Sequence, residues 1–335
     1  MKRGHYSHDQ AVVPKRRVHV VAAVIYDDQN QVFLSRRPSY VDQGGLWEFP
    51  GGKLNAHETS LEALKRELNE ELGIQIDRAQ PLIKVMHEYE DKHILLDVWE
   101  VRHYDGEPYG REGQVVRWVP EEKLARYHFP SANGAVIKAA MLPHLYMVTQ
   151  DESDEEAFLT TFKASLAQFN PPMVRLRAPG LSADAYEARA RVVADLCRES
   201  GAKLMLGHHG SDIESLVRMV HDVNAAGLHL TNEQLLQLEE RPLESTHWLA
   251  ASVHDKASLD RAEAFDCDFA MLSCINTTTS HPDVTPLRWN GFQEAVRNCH
   301  IPVFALGGLG LNDVDKARAV GGQGIAAIRA FLAED

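Results

Sequence analysis

Apolar positions in the first third of the chain gather in short β-rich runs, and once recur with the period of a helix. The runs VHVVAAVIY (18–26), QVFLSRR (31–37), HILLDVWEVRHY (93–104) and VVRWVP (115–120) read as strands. Leu61, Leu64, Leu68 and Leu72 fall on one stripe of a helix over 60–72. Thr59 and Glu62 have the spacing of a capping box at its start, and Gly73 supplies the stop. Strands mixed with one well-marked helix predict an α+β domain with a mixed sheet and flanking helices.

From Leu145 the pattern changes to short apolar runs alternating with longer amphipathic stretches. The runs are LYMVT (145–149), MVRLR (173–177), KLMLG (203–207), LHLT (228–231), WLAASV (248–253), FAMLSC (269–274), VFALGG (303–308) and GIAAIR (324–329). Helical patterns separate most of them, at 154–168, 183–200, 211–226, 256–265, 288–299 and 312–320. Eight such units predict an α/β TIM-type (β/α)8 barrel, with an open parallel sheet as the alternative. The expected division is a basic flexible tail over 1–16, the α+β domain over 17–141 and the barrel over 142–335. A chain of 335 residues is long enough for two cores.

Composition narrows the function. A net charge of −13 disfavours a stable nucleic-acid complex, which needs clustered Lys and Arg, but leaves small anionic ligands open where cations or metals hold them. The longest early apolar run, Val20 to Ile25, is too short to cross a bilayer. The four cysteines, Cys197, Cys267, Cys274 and Cys299, have neither disulfide-scaffold density nor paired metal spacing, which fits a reducing cytoplasm.

The candidate chemistry lies on the helix at 60–72. Glu67, Glu70 and Glu71 crowd one arc beside its apolar stripe, although like charges at that spacing repel by roughly 0.2–0.5 kcal/mol per pair. Hard divalent cations prefer carboxylate oxygens, so a metal turns that repulsion into binding. The adjacent glycines of WEFPGGK (47–53) let backbone approach a ligand. Together the run reads Gly52-x5-Glu58-x7-Arg66-Glu67-Leu68-x-Glu70-Glu71-x-Gly73-Ile74, which resembles the Nudix box in every fixed position.

The resemblance implies that Glu67, Glu70 and Glu71, with the Gly51 carbonyl, hold Mg2+ or alternatively Mn2+, and that Arg66 and Glu58 form an orienting ion pair. Three further blocks, EFPGGK, GEPYGREGQ (106–114) and FPSANGAVI (129–137), resemble the MutT branch, which hydrolyses 8-oxo-dGTP to the monophosphate and pyrophosphate. By that resemblance Glu112 binds metal or assists the attacking water, Asn133 reads the purine, and Arg37 contacts the nucleotide. Tyr89 and Lys92 stand where the pattern has phenylalanine and arginine near the base.

The second half resembles thiamine-phosphate synthase and its TenI relatives through LYMVTQD, Gly227-Leu228-His229-Leu230, the Ala251–His254 segment and IPVFALGGLG (301–310). Gly307, Gly308 and Gly310 follow the seventh strand, where barrels often bind phosphate. The synthase pattern is broken elsewhere. Arg175-Leu176-Arg177 lacks its lysine, Gln234 replaces an aspartate, and the Thr278–His281 segment loses another lysine. His208, His209, His254 and His281 offer a further metal set. The expectation is an enzyme that clears oxidised purine nucleoside triphosphates from the nucleotide pool, fused to a barrel degenerate as a synthase. Its partners would be a small nucleotide and, through the barrel, a second copy of the chain, with no membrane. The alternatives are a hydrolase of thiamine-related pyrophosphates whose barrel binds a pathway ligand, or a barrel that only regulates.

Overall fold

The computed structural model describes residues 16–41, 43–89, 91–277 and 284–333. Most of the expected tail and the Thr278–His281 segment therefore lie outside the described residues. Arg16 already belongs to strand β1 (Arg16–Ile25), whose apolar run is buried on both faces. Val21, Ala23 and Ile25 pack on Leu64, Leu68 and Leu72 of helix α1 (Ser60–Leu72). Ala22 and Val24 face Val136, Ala139 and Ala140 of helix α2 (Gly134–Met141). One strand thus serves two cores, which explains why its hydrophobicity does not alternate.

Strand β1 lies inside a four-stranded sheet in the order β4-β1-β6-β5, formed with β4 (Gly51–Lys53), β5 (Gln75–Glu88) and β6 (Lys92–Asp105). It runs parallel to β6 and antiparallel to β4, placing Gly51 opposite Ala22 and Gly52 opposite Val21. A smaller sheet joins β2 (Gln31–Arg36) to β3 (Trp47–Glu48) and β7 (Val116–Pro120). Strand β5 is absent from the sequence expectation. It carries Pro81, and its pairing with β6 shifts register between Ile76 and Arg78, Arg78 and Gln80, and Pro81 and Ile83, so its alternation is scrambled.

The eight expected strands of the second half close into a parallel barrel: β8 (Leu145–Val148), β9 (Met173–Arg175), β10 (Lys203–Leu206), β11 (Gly227–Leu230), β12 (Trp248–Val253), β13 (Phe269–Ser273), β14 (Val303–Leu306) and β15 (Gly324–Ala327). The open-sheet alternative is excluded. Tyr146, Met173, Met205, Phe269, Met271 and Phe304 fill the interior, while the intervening residues face helices α3 (Glu155–Phe169), α4 (Ala183–Ser200), α5 (Ile213–Asp222), α6 (Asn232–Gln237), α7 (Lys256–Ala264), α8 (Arg288–Val296) and α9 (Val314–Ala319). Helix α5 is shorter than the expected 211–226, and the two-turn α6 had no expected counterpart.

The first domain sits against the N-terminal ends of the barrel strands. Leu142, just after α2, packs with the interior residues of the barrel. The Gln323 side chain, preceding β15, donates to the carbonyls of Ala139 and Leu142, each at 3.0 Å. Lys138 of α2 meets Asp268, preceding β13, at 2.9 Å. The buried Glu100 of β6 receives Arg318 of α9 at 2.9 Å and lies 2.7 Å from His144 Nε2, while His144 Nδ1 sits 2.7 Å from the Gln323 carbonyl. The opposite end of the barrel stays clear of these contacts. No described helix is long and apolar enough to cross a membrane.

Candidate active site

Helix α1 carries the carboxylates because both of its ends are fixed. Thr59 Oγ1 accepts from the Glu62 N–H, the Glu62 side chain accepts from the Thr59 N–H at 2.8 Å, and Gly73 closes the helix in the left-handed conformation. Ser60, on the first turn, donates at 2.7 Å to the fully buried Asp97 of β6, which pins the helix start to the sheet. Leu64, Leu68 and Leu72 are buried as expected, the carboxylates of Glu67 and Glu71 are turned toward β4, and Glu70 is exposed.

Arg66 organises this face. Its guanidinium donates to Glu58 through Nε at 2.7 Å and Nη2 at 3.0 Å, a bidentate pair, and to Glu67 at 2.7 Å. It reaches Glu70 at 3.4 Å and the Lys53 carbonyl at 3.2 Å. The hydrogen bonds from Arg66 and from the Asn55 N–H lower the Glu58 carboxyl to a pKa of about 2. Glu67 lies so close to β4 that a Cβ on Gly52 would stand 2.2–2.3 Å from its carboxylate atoms. Only glycine leaves that room.

Glu71 differs from its neighbours. Its carboxylate accepts the Gly51 N–H at 3.2 Å. Burial raises its pKa to about 8; the Gly51 bond opposes the rise, and Glu48, Glu67 and Glu112 add to it. A half-buried carboxyl among three others is a site short of positive charge. The loop carrying Glu112 is tied to the end of α1: Arg111 N–H and Gln114 Nε2 both donate to the Glu71 carbonyl, at 3.0 and 3.1 Å, and Gln114 Oε1 accepts the Glu112 N–H at 2.9 Å. Glu112 itself is exposed.

Of the residues expected to meet a nucleotide, Arg37 is linked to this cluster through Glu48. Arg37 pairs with Glu48, which burial raises in pKa against the pull of Arg37. Phe49 stacks on Phe129 with ring centres 5.2 Å apart. Asn133 is buried and begins α2, its amide donating to the Pro130 carbonyl at 3.4 Å. Ser131 meets His87 at 3.1 Å, His87 packs edge-on against Tyr89 at 4.6 Å, and Lys92 lies 5.4 Å from the Tyr89 ring. Glu48 and His87 escaped the sequence reading. Glu48 sits in the quoted WEFPGGK run and was legible there, whereas His87 lies on the scrambled strand β5 and carried no signal.

The barrel residues are placed apart from this cleft. Gly307, Gly308 and Gly310 follow β14 at the far end of the barrel. A Cβ on Gly307 would meet Cys274 Sγ at 2.5 Å, and the Gly310 N–H is taken by Asp313 at 2.9 Å. Gln234 closes the capping box of α6 and donates to the carbonyls of His208 and Ser211 at 2.9 and 3.2 Å. His208 is held by Ser211 Oγ and the Leu181 carbonyl, and His254 by Ser273 Oγ. Among the described residues these histidines form no metal-ligating group.

An α/β/α domain with carboxylates grouped on one helix, joined to a parallel (β/α)8 barrel, makes this a two-domain α/β protein with an acidic cluster in its first domain. The family model for the NUDIX domain matches residues 21–139, and that for thiamine monophosphate synthase matches 145–331. The 8-oxo-dGTP diphosphatase of Escherichia coli (strain K12) is 36% identical over 122 residues, 36% of this chain and 95% of that protein. The CTP pyrophosphohydrolase of the same organism is 35% identical over 126 residues, 38% and 93% of the two chains. The thiamine-phosphate synthase of Prochlorococcus marinus (strain MIT 9313) is 28% identical over 192 residues, 56% of this chain and 52% of that one, so the chain spans about half the length of this relative. The chain belongs to the Nudix family in its first domain and to the thiamine monophosphate synthase family in its second.

Proposed function

We propose that the first domain hydrolyses 8-oxo-dGTP to 8-oxo-dGMP and pyrophosphate with Mg2+, Mn2+ serving as a substitute. The observation that carries the reading is the acidic cluster where α1 meets β4: Glu71 accepts the Gly51 N–H, Glu67 lies against Gly52, and desolvation with Glu48, Glu67 and Glu112 nearby pushes the Glu71 carboxyl up to about 8. An all-oxygen, strongly acidic donor set suits a hard divalent cation bridging to phosphate. Glu67, Glu70, Glu71 and Glu112 would hold it with the Gly51 carbonyl. When bound, the metal neutralises phosphate charge and acidifies a water.

The chain's own groups do the rest. Arg66 fixes the Glu67 carboxylate, using Glu58 as its anchor. Glu112, exposed on its tethered loop, accepts the proton of the attacking water. Arg37 binds the nucleotide, and Asn133 reads the purine edge, an amide offering both donor and acceptor. Clearing this nucleotide from the precursor pool avoids mutation. The cytoplasm, where those pools lie, also keeps the four buried free thiols reduced.

We read the barrel as no longer a synthase. The broken motif supports this, as does Gln234, whose amide is committed to its own helix cap and to the 208–211 turn. The barrel's family favours one second reading, hydrolysis of a thiamine-related diphosphate. Initial rates with Mg2+ on 8-oxo-dGTP, dGTP, CTP and such a diphosphate separate the cases. The expected kcat/KM for 8-oxo-dGTP exceeds each of the others by at least ~10-fold, within the reach of polar base recognition. A preference for CTP overturns the purine assignment, and exclusive turnover of the thiamine-type diphosphate overturns the nucleotide reading.

A further inference from the structure

At the N-terminal face of the barrel, away from the carboxylate helix, two histidines and a glutamate converge. His221 stands on the last turn of α5, and Glu244 and His247 lie on the connection between α6 and β12. One ligand atom from each lies within 4.8 Å of the other two. Glu244 Oε2 is 3.7 Å from both His221 Nε2 and His247 Nδ1, and the two rings are 4.9 Å apart. We propose that His221, Glu244 and His247 form a binding site for a transition-metal cation of the Zn2+ class, separate from the Mg2+ chemistry of the first domain.

Donors about 2.0–2.1 Å from a tetrahedral zinc lie roughly 3.4 Å from each other. Both Glu–His edges are already within a few tenths of an ångström of that, and the two imidazole nitrogens, within 4.8 Å of each other, draw together to complete the triangle. Thr246 Oγ1, 3.2 Å from His247 Nδ1, gives up its contact when that nitrogen takes a cation. The frame around the donors is built beforehand. Arg241 donates to the Leu243 carbonyl at 3.0 Å and the His247 carbonyl at 2.9 Å, bracketing the turn, and it anchors that turn to Asp268 at 2.8 Å. The His247 N–H donates to the Glu244 carbonyl at 3.0 Å, holding the two ligands on one turn.

The two halves of the site lead into neighbouring strands, since Gly227, shortly after His221, pairs with Trp248, next to His247. The end of α5 also favours a cation through the helix dipole. Two imidazoles and one carboxylate select Zn2+, Co2+ or Ni2+ over Mg2+, which avoids nitrogen ligands. A water completes the coordination. The same Asp268 receives Lys138 of α2 at 2.9 Å, so a cation here stiffens the face on which the first domain is seated.

The test uses the untagged full chain, freed of metal by chelation and held in saturating Mg2+ so that the carboxylate cleft is filled. Zn2+ is titrated by calorimetry, and Co2+ by its ligand-field absorption. The wild type is expected to take up one equivalent and to gain thermal stability from Zn2+. His221→Ala and His247→Ala should each weaken that uptake by more than about tenfold, the loss already associated with groups that merely orient a ligand, and should abolish the thermal gain. A metal-free thermal midpoint and a far-ultraviolet circular dichroism spectrum equal to those of wild type show that the barrel of each variant is folded. Equal Zn2+ uptake and equal thermal gain in wild type and variants overturns the site, as does a wild type that takes up no Zn2+ under these conditions.

Discussion

Glu71 shows how a single carboxyl records the need for a cation. Its folded pKa of about 8 lies above the ordinary 4.5, so between those values the folded metal-free chain holds a proton that the unfolded chain has lost. Stability contributed by that proton is present below 4.5 and drains away as the pH rises toward 8. Metal-free wild type should therefore melt progressively lower than Glu71→Gln as the pH is raised from 5 to 8, and Mg2+ should restore the wild type alone. In the same variant, turnover should fall by orders of magnitude. Parallel melting curves at both ends of the range, or near wild-type turnover, would refute the role given to this group. The identity of these residues was legible in the sequence because the Nudix box is local. That Glu71 is drawn against the Gly51 N–H and desolvated there was not, since that depends on β4.

The pairing of α1 with β4 is an element-scale device. The expectation for α1 came true residue by residue, because a capping box, a leucine stripe and a left-handed glycine all act within a few turns. Gly52 belongs to a different strand, and its meaning emerges only where Glu67 is laid against it. Gly52→Ala places a methyl group against a flexible side-chain end, so the domain should fold while Glu67 is pushed from its station. Displacements of that size cost roughly 100-fold in rate. The expected result is a thermal midpoint near that of wild type with kcat/KM lowered by about that factor; an unaffected kcat/KM would show that Glu67 need not lie where it does. Strand β5 shows where local reading stops. Its three register shifts break the two-residue period, and only pairing along β6 makes it a strand.

Across the whole molecule, the two domains are joined by a buried polar cluster around Glu100. Burial pushes its carboxyl upward in pKa, but the hydrogen bond and charge of His144, the charge of Arg318 and the hydrogen bond from Arg102 outweigh it and hold it at about 2. Stability from Glu100 is thus present above the ordinary 4.5 and is lost as the pH falls through 2. Glu100→Gln leaves Arg318 buried without its counter-charge, which costs about 3–5 kcal/mol. Urea denaturation at neutral pH should show that loss, and the gap from wild type should narrow as the pH approaches 2. A gap that stays constant on acidification would mean that Glu100 does not carry the interface as a charge.

Local periodicity, caps and one dense motif determined the two folds, the family of each half and the run of acidic residues on α1, because each of these is written within a few helical turns or one strand. Tertiary structure alone decided that β1 serves two cores, that Glu48 comes to stand beside Glu71, and that the first domain closes the N-terminal end of the barrel. It also brought His221 to Glu244 and His247. All of these join residues far apart along the chain, and the forces that join them, burial and charge at close range, act across space and leave no periodic trace in the order of the amino acids.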